Sequence, residues 1–267
     1  LIAVGNSLGQ DETWVYAFVV AVFLVASWFA WNVRTPGQIV SRDPVTLTNL
    51  LAGLKFIISR KVILGAISVD LFAVLFGGAL ALLPVYATEI LKVDAEGFGI
   101  LRSTFTLGAL AGALYLTQRP IKTRAGIKLL VAVGGFGTGA IIFGLSNIFW
   151  LSLAALALMG LADSFSVFVR QNMVQIITPD EMRGRVSAVS SVFTGASNEL
   201  GEFESGITAH WWGTVPAVVF GGAVTVAVAI SFAWIFPQLR QVNSLDADDL
   251  VRRYRHHPAE LASKNQA

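Results

Sequence analysis

The chain has 267 residues, of which 55% are hydrophobic and only 13% are charged. Soluble domains carry about 25% charged residues, so this chain has too little polar surface to cover a soluble globule. The composition therefore predicts an all-α polytopic membrane protein, and a sequence without cysteine excludes disulfides and thiolate chemistry.

About seven apolar segments are long enough to be transmembrane helices, since a span needs roughly 20 mostly apolar residues. They are residues 13–33, 62–87, 99–117, 127–145, 149–176, 185–209 and 215–236. The first residues, LIAVG, resemble the end of a further span whose beginning lies upstream.

Two longer connections remain, residues 34–61 and the polar tail 237–267. The first contains TLTNLLAGLKFIIS, whose apolar residues recur at helical spacing but over too short a length to cross a bilayer. They are Leu47, Leu50, Leu51, Leu54, Ile57 and Ile58. This pattern predicts an amphipathic helix that lies on the cytoplasmic membrane face.

Charges alternate from one connection to the next. Acidic residues dominate one set, with Asp11, Glu12, Glu89, Asp94 and Glu96. Basic residues dominate the other set and the tail: Arg34, Arg42, Lys55, Arg60, Lys61, Arg119, Lys122, Arg124, Lys128, Arg183, Arg185, Arg240, Arg252, Arg253, Arg255 and Lys264. Basic connections stay cytoplasmic, so the pattern predicts the start of the chain outside and its end inside.

Several charges fall inside the predicted spans, where each costs about 2.5–3.5 kcal/mol on insertion scales. Asp70 lies in the second span, and Asp163, Ser166 and Arg170 share one stripe of the fifth at spacings i, i+3 and i+7. Such residues mark a water-filled cavity or a contact with other protein. Arg170 could equally neutralise Asp163 or an acid on a neighbouring helix and serve only to fix the packing.

The sixth span contains ASNELGEFESG, with three glutamates. Its polar residues also form one stripe: Ser187, Ser191, Thr194, Asn198, Glu202 and Ser205. Glu199 flanks this stripe, Glu204 points elsewhere, and Gly201 is expected to allow a local bend. We expect Glu202 and Glu199 to have a functional role in a cavity.

The sequence contains none of the common hydrolase, zinc-protease or nucleotide-binding motifs. We therefore predict a protein that is not an enzyme, with no cofactor, no metal site and no nucleic-acid partner. The partner that the pattern does predict is the lipid bilayer.

Two stretches resemble a known family. TPDEMRGRVSAV, residues 178–189, resembles the cytoplasmic loop and following helix of major facilitator superfamily transporters, where a Pro-acid-x-x-Arg-Gly-Arg run enters the penultimate helix. LLPVYATEILKVDAEGFGILRSTFTLGALAGAL, residues 82–114, is similar to the seventh and eighth helices of that family. The likeness is greatest to the exporter branch that includes the enterobactin exporter.

The resemblance implies a twelve-helix fold of two halves that moves by alternating access. Residues 1–33 would then hold the end of family helix 5, an outer loop and helix 6. Residues 34–61 would be the cytoplasmic linker, residues 62–236 the C-terminal six-helix half, and residues 237–267 a cytoplasmic tail. The N-terminal half of the same protein would be a partner.

The implied function is proton-coupled export of a small, partly apolar molecule, siderophore or drug-like, across the bacterial inner membrane. Glu202 and Glu199 would accept protons, and Asp163 would be a cavity acid near Arg170, with Asn198 and Asp70 also lining the cavity. Arg183, Gly184 and Arg185 would form the cytoplasmic loop motif. The alternatives are a non-transporting sensor or scaffold with this fold, and a channel.

Overall fold

The computed structural model describes residues 13–32, 47–119, 121, 123–246, 250, 251 and 254. Within these residues the secondary structure is helical, without strands. The helices are α1 (Thr13–Asn32), α2 (Leu47–Ser59), α3 (Lys61–Phe76), α4 (Ala95–Gln118), α5 (Ala125–Leu145), α6 (Phe149–Ile177), α7 (Asp180–Trp212), α8 (Thr214–Ile235) and the short α9 (Pro237–Arg240). The expected earlier span, residues 34–46 of the linker, Lys122 and most of the tail lie outside the described residues.

Each of the seven predicted spans coincides with helix in the structure. Five segments are long and apolar enough to cross a membrane: Lys61–Ile90, Ala95–Gln118, Ala125–Leu145, Phe149–Ile177 and Thr214–Ile235. Helix α1 adds an apolar stretch, Tyr16–Asn32, whose side chains are all exposed. Helix α7 has 33 residues but a more polar composition. The chain is thus an all-α polytopic membrane protein.

The second predicted span is not one continuous helix. Helix α3 ends at Phe76, and a 3₁₀ turn (Gly78–Leu80), a short helical turn (Leu83–Val85) and a π turn (Tyr86–Ile90) follow it. Pro84 cannot donate a backbone hydrogen bond, Gly77 ends α3, and Gly78 begins the 3₁₀ turn, so the regular helical ladder is interrupted here.

Helix α7 begins five residues earlier than predicted. Pro179 occupies its N-cap position. The acidic Asp180 and Glu181 lie in the first turn, where their negative charges interact favourably with the positive end of the helix dipole. The expectation that Arg183, Gly184 and Arg185 belong to a loop is therefore wrong in part, because all three lie within the helix.

Helix α6 is central in the bundle, since it contacts α3, α4 and α5. Small residues let these helices approach closely: a Cβ on Gly139 of α5 would lie 2.6 Å from Met159 of α6. Helix α8 packs on α5, where a Cβ on either Gly137 or Gly222 would lie 2.7 Å from the other's carbonyl oxygen. Buried side chains form two apolar clusters, and the larger connects α2 and α3 with residues of α5, α6, α7 and α8.

The amphipathic segment forms α2 as predicted, and it packs against α7. Ile57 is buried, while Leu51 and Ile58 remain largely exposed, so the predicted apolar stripe is divided between protein contacts and an uncovered edge. Gly53 permits the contact, because a Cβ there would lie 2.8 Å from the carbonyl oxygen of Arg185. The linker helix thus lies directly on the arginine-glycine-arginine run.

Candidate functional site

An ion pair lies between α3 and α6. The Arg170 guanidinium (Nη2) is 3.1 Å from the Asp70 carboxylate (Oδ2), and about nine-tenths of both side chains is buried. These two residues are one hundred positions apart in the sequence, so only the packing of α3 against α6 brings them together. Truncating one member of such a pair leaves an uncompensated buried charge, which makes the pair a strong constraint on this helix contact.

Asp163 lies two turns from Arg170 on the same stripe of α6, as the spacing predicts. Its half-buried carboxylate interacts electrostatically with both Asp70 and Arg170. The structure therefore groups three of the predicted site residues into one cluster, which we call the α3–α6 charge cluster: Asp70, Asp163 and Arg170. With all three ionised, the cluster carries one uncompensated negative charge, and binding of one proton makes it neutral.

The cluster also has unused hydrogen-bonding capacity. Within the described part of the chain, neither the Nε of Arg170 nor the hydroxyl of the buried Ser166 has a hydrogen-bond partner. Buried polar groups normally find partners, so each such atom needs an explanation. The Arg170 Nε donor and the Ser166 hydroxyl, both on the stripe of α6 that holds Asp163, are therefore available to water or to a polar group of a ligand.

A cleft of about 690 Å³ opens between α6 and α7, and Arg170 is part of its wall. Polar side chains outnumber apolar ones among the other lining residues: Gln171, Val174, Gln175, Thr178, Arg183, Gly184, Val186, Ser187, Ser190, Ser191, Thr194 and Gly195. This volume falls in the range of small-molecule binding sites, so the α3–α6 charge cluster reaches a ligand-sized space.

Sequence reasoning missed the glutamines of this cleft. Gln171 and Gln175, four residues apart, line one face of α6 towards α7, and Thr178 follows at the C-cap of the helix. Their spacing indicates a shared helix face. Uncharged amides cost less in a membrane than acids, so amides within a span are a weaker indication of a functional site.

The arginine-glycine-arginine run lies at the N-terminal end of α7. Arg183 pairs with Asp180 at 3.0 Å, one turn away, and both side chains are largely exposed. Gly184 has open space around it and lines the cleft with Arg183. Arg185 contacts the sulfur of Met182 at 3.8 Å and does not line the cleft.

The glutamates of α7 occupy a different environment. Asn198, Glu199 and Glu202 are exposed, and none of them contacts the α3–α6 charge cluster through a hydrogen bond or ion pair recorded in the described residues. The structure therefore does not join them to Asp163, although all were expected to line one cavity. Glu204 is half-buried. The side chain of the neighbouring Ser205 is a hydrogen-bond partner of its carboxylate.

Ser205 departs from the predicted polar stripe. It is buried with its hydroxyl against Gly78, so the last member of the stripe faces α3 and its extension instead of the exposed side. Gly201 lies on the same buried face, and a Cβ there would be 2.8 Å from the carbonyl oxygen of Val74. Helix α7 runs unbroken through Gly201, which serves close packing and interrupts nothing.

Comparison with known proteins places this arrangement in a family. A major facilitator superfamily model described as "Transmembrane secretion effector" matches residues 4–266. A protein of Citrobacter koseri named "Enterobactin exporter EntS" is 25% identical over 195 residues, which cover 73% of this chain and 47% of that protein.

Two further relatives carry the same name. The protein of Escherichia coli O1:K1 is 27% identical over 143 residues, which are 54% of this chain and 34% of the relative. The protein of Shigella flexneri is 28% identical over 143 residues, covering 54% and 33%. The matched region thus spans about half or less of these relatives. Because the family model matches nearly the whole sequence, the chain belongs to the transmembrane secretion effector family of the major facilitator superfamily.

Proposed function

We propose that this chain forms part of a proton-coupled secondary transporter that exports a small, partly apolar molecule by alternating access. The observation that carries the proposal is the α3–α6 charge cluster, in which two carboxylates share one guanidinium at the wall of a ligand-sized cleft. Intramembrane acids paired with a base are typical of proton relays in transporters. The relatives named as enterobactin exporters support the direction of transport.

In the proposed mechanism, a proton entering from outside binds to Asp163 and neutralises the cluster. Arg170 then keeps its pairing with Asp70, and α6 is free of an unbalanced charge while it moves past its neighbours. When the cavity opens to the cytoplasm, Asp163 loses the proton and its carboxylate again competes with Asp70 for Arg170. Arg170 lines the same cleft as Gln171 and Gln175, so a change in the pairing of Arg170 would change its interaction with a substrate that binds there.

The exposed acids of α7 have a second role in the proposal. Asn198, Glu199 and Glu202 form a polar, uncovered face, which is unfavourable against lipid. We infer that this face is turned to the N-terminal half of the transporter, across the central cavity. Glu202 and Glu199 would then conduct protons between the outside and the cluster.

Replacement of Asp163 by Asn tests the coupling site. In the full-length protein reconstituted in vesicles, Asp163→Asn should abolish efflux driven by a proton gradient, because the neutral amide cannot exchange a proton. Exchange of labelled for unlabelled substrate, which needs no net proton movement, should persist. Enterobactin, the compound named for the relatives, is the first probe, followed by drug-like molecules of similar polarity.

Asp180→Asn provides the matched control, since Asp180 is an exposed acid at the start of α7. Proton-driven efflux by the Asp163→Asn protein at the wild-type rate would refute the coupling role. A full-length protein that transports no probe under any gradient, yet binds one, would favour a sensor.

The proposed orientation has a separate test. The charge alternation would place the connections that hold Asp94 and Gly213 outside and those that hold Lys122 and Ser244 inside, so single cysteines at these positions would report the side of the membrane. Asp94 and Gly213 are poor positions for a cysteine substitution, because Asp94 caps α4 by accepting a hydrogen bond from the Gly97 amide, and Gly213 has a positive φ. We expect Glu96→Cys to react with an impermeant maleimide from outside, and Glu181→Cys only after the membrane is opened. Reaction of both from the same side would reject the topology.

A further inference from the structure

A crevice lies on the opposite side of α6 from the cleft between α6 and α7. Helix α6 faces α4 through Ala157 and Ser164, and it faces α5 through Met159 and Ala162, as the close approaches of glycines on α4 and α5 show. Leu161 and Phe165 follow on the strip of α6 between these two contacts. They form the floor of a crevice between α4 and α5, with a volume of about 640 Å³.

The charged groups of this crevice are all at one end. Arg119 at the end of α4 and Lys128 in the first turn of α5 supply two positive charges, and Thr123 of the intervening connection adds a hydroxyl. Neither an Asp nor a Glu is among the described residues that line the crevice, and no ion pair of Arg119 or Lys128 occurs in that part of the chain. The crevice therefore has a positive charge that the described protein does not neutralise.

Towards the middle of the helices the crevice becomes apolar. Ala111, Tyr115 and Arg119 follow at spacings of four on one face of α4, so the lining changes from methyl to phenol to guanidinium towards the helix end. Tyr115 packs on Phe165 with ring centroids 5.9 Å apart. Tyrosine rings commonly lie at the level of lipid headgroups, and basic side chains next to them reach the interface.

We propose that this crevice binds an anionic phospholipid, whose phosphodiester contacts Arg119 and Lys128 and whose acyl chain lies over Leu161, Phe165 and Ala111. A free phosphate would present the same anionic chemistry to the two basic residues, but it would leave the long apolar floor uncovered. The gradient from charged to apolar along the helix axis matches a lipid that stands in the bilayer. In the proposed orientation the lipid belongs to the cytoplasmic leaflet, and the proposal does not depend on transport.

Native mass spectrometry of the full-length protein tests the site. Protein released from nanodiscs with equal amounts of phosphatidylglycerol and phosphatidylcholine should retain phosphatidylglycerol preferentially. The double variant R119Q/K128Q should reduce its retention by about thirtyfold, the loss expected when two basic side chains near an anionic lipid are removed. The double variant K55Q/K61Q removes two exposed charges from the same side of the protein, outside the crevice, and should leave retention unchanged.

A third variant separates shape from charge. Ala111→Trp fills the apolar part of the crevice without changing any charge, and it should also displace the lipid because Ala111 is an exposed lining residue. R119K/K128R keeps both charges and should retain phosphatidylglycerol, which would exclude a general folding defect as the cause of any loss.

Three outcomes would overturn the proposal. One is equal retention of the two lipids by the wild-type protein. Another is the same phosphatidylglycerol retention by R119Q/K128Q and K55Q/K61Q, with Ala111→Trp also unchanged. The third is displacement of the lipid by glycerol 3-phosphate as effectively as by added phosphatidylglycerol, which would assign the crevice to a free phosphate.

Discussion

Helices α6 and α7 carry similar polar patterns in sequence, but the structure gives them different surroundings. On α6, Arg170 is buried and paired with Asp70 of α3, and Asp163 lies in the same charge cluster. On α7, Glu199 and Glu202 are exposed on the surface of the described chain. The buried face of α7 is instead made of small residues, among them Ser197, Gly201 and Ser205.

The difference shows two ways of placing charges in one helical bundle. A charge enclosed within the bundle is matched by an opposite charge on a neighbouring helix, because desolvation costs several kcal/mol per ion. A charge left on the surface needs no partner in the same bundle, but it needs water or another protein surface beside it. This contrast supports the proposed coupling role of the enclosed charges of α6 and the proposed contact of the uncovered acids of α7 with another protein surface.

The largest effect is expected at the buried pair. Arg170→Ala would leave Asp70 and Asp163 without their cation, and we expect a loss of about 3–5 kcal/mol in unfolding free energy, visible as a lower midpoint in thermal unfolding of the purified protein. The double variant D70N/R170Q, which removes both charges of the pair, should recover part of this loss.

Arg183→Ala is the control, since its pair with Asp180 is largely exposed and should be worth at most about 1 kcal/mol. Equal stability of the Arg170→Ala and Arg183→Ala proteins would remove the distinction between enclosed and exposed charges.

An intermediate effect is expected on the small-residue face of α7. A methyl group on Gly201 would meet backbone atoms of Val74 and Leu75, so Gly201→Ala should push α7 from α3 and destabilise by about 1–3 kcal/mol. Gly195→Ala, on the same helix, enters open space and should stabilise by about 0.5–1 kcal/mol through helix propensity. Opposite signs in thermal unfolding would sharpen the contrast between the two faces of α7, and equal signs would contradict it.

The smallest effect is expected for the exposed acids. If Glu202 were the coupling acid, as the resemblance implies, Glu202→Gln would abolish proton-driven efflux. With Glu202 uncovered and Asp163 enclosed, we expect a slower but still proton-driven efflux, reduced by less than about tenfold, which corresponds to less than about 1.4 kcal/mol. Glu199→Gln should behave in the same way. Complete loss of driven efflux in Glu202→Gln, with substrate exchange intact, would move the coupling site from α6 to α7.

The sequence by itself determined the membrane class, the helices and the stripe that holds Asp163 and Arg170. These features follow from composition and from the 3.6-residue period, which local sequence fixes. The sequence was less informative about where helices begin and where they are interrupted. The acidic first turn after Pro179 extends α7, and glycines with Pro84 interrupt the second span. The length of an apolar segment indicates neither feature.

Only the tertiary structure decided which polar residues meet. Asp70 reaches Arg170 because α3 crosses α6 there, and no local pattern encodes a contact between residues so far apart. The same holds for Gly201. The sequence pattern predicts a local bend there, and the structure shows that the backbone of Val74 packs closely against this glycine. It also holds for Ser205: the predicted stripe left a cavity and a protein contact both open, and Ser205 lies buried against Gly78. A helical period specifies that residues share a face, whereas the neighbour that the face meets is set by the packing of all the helices together.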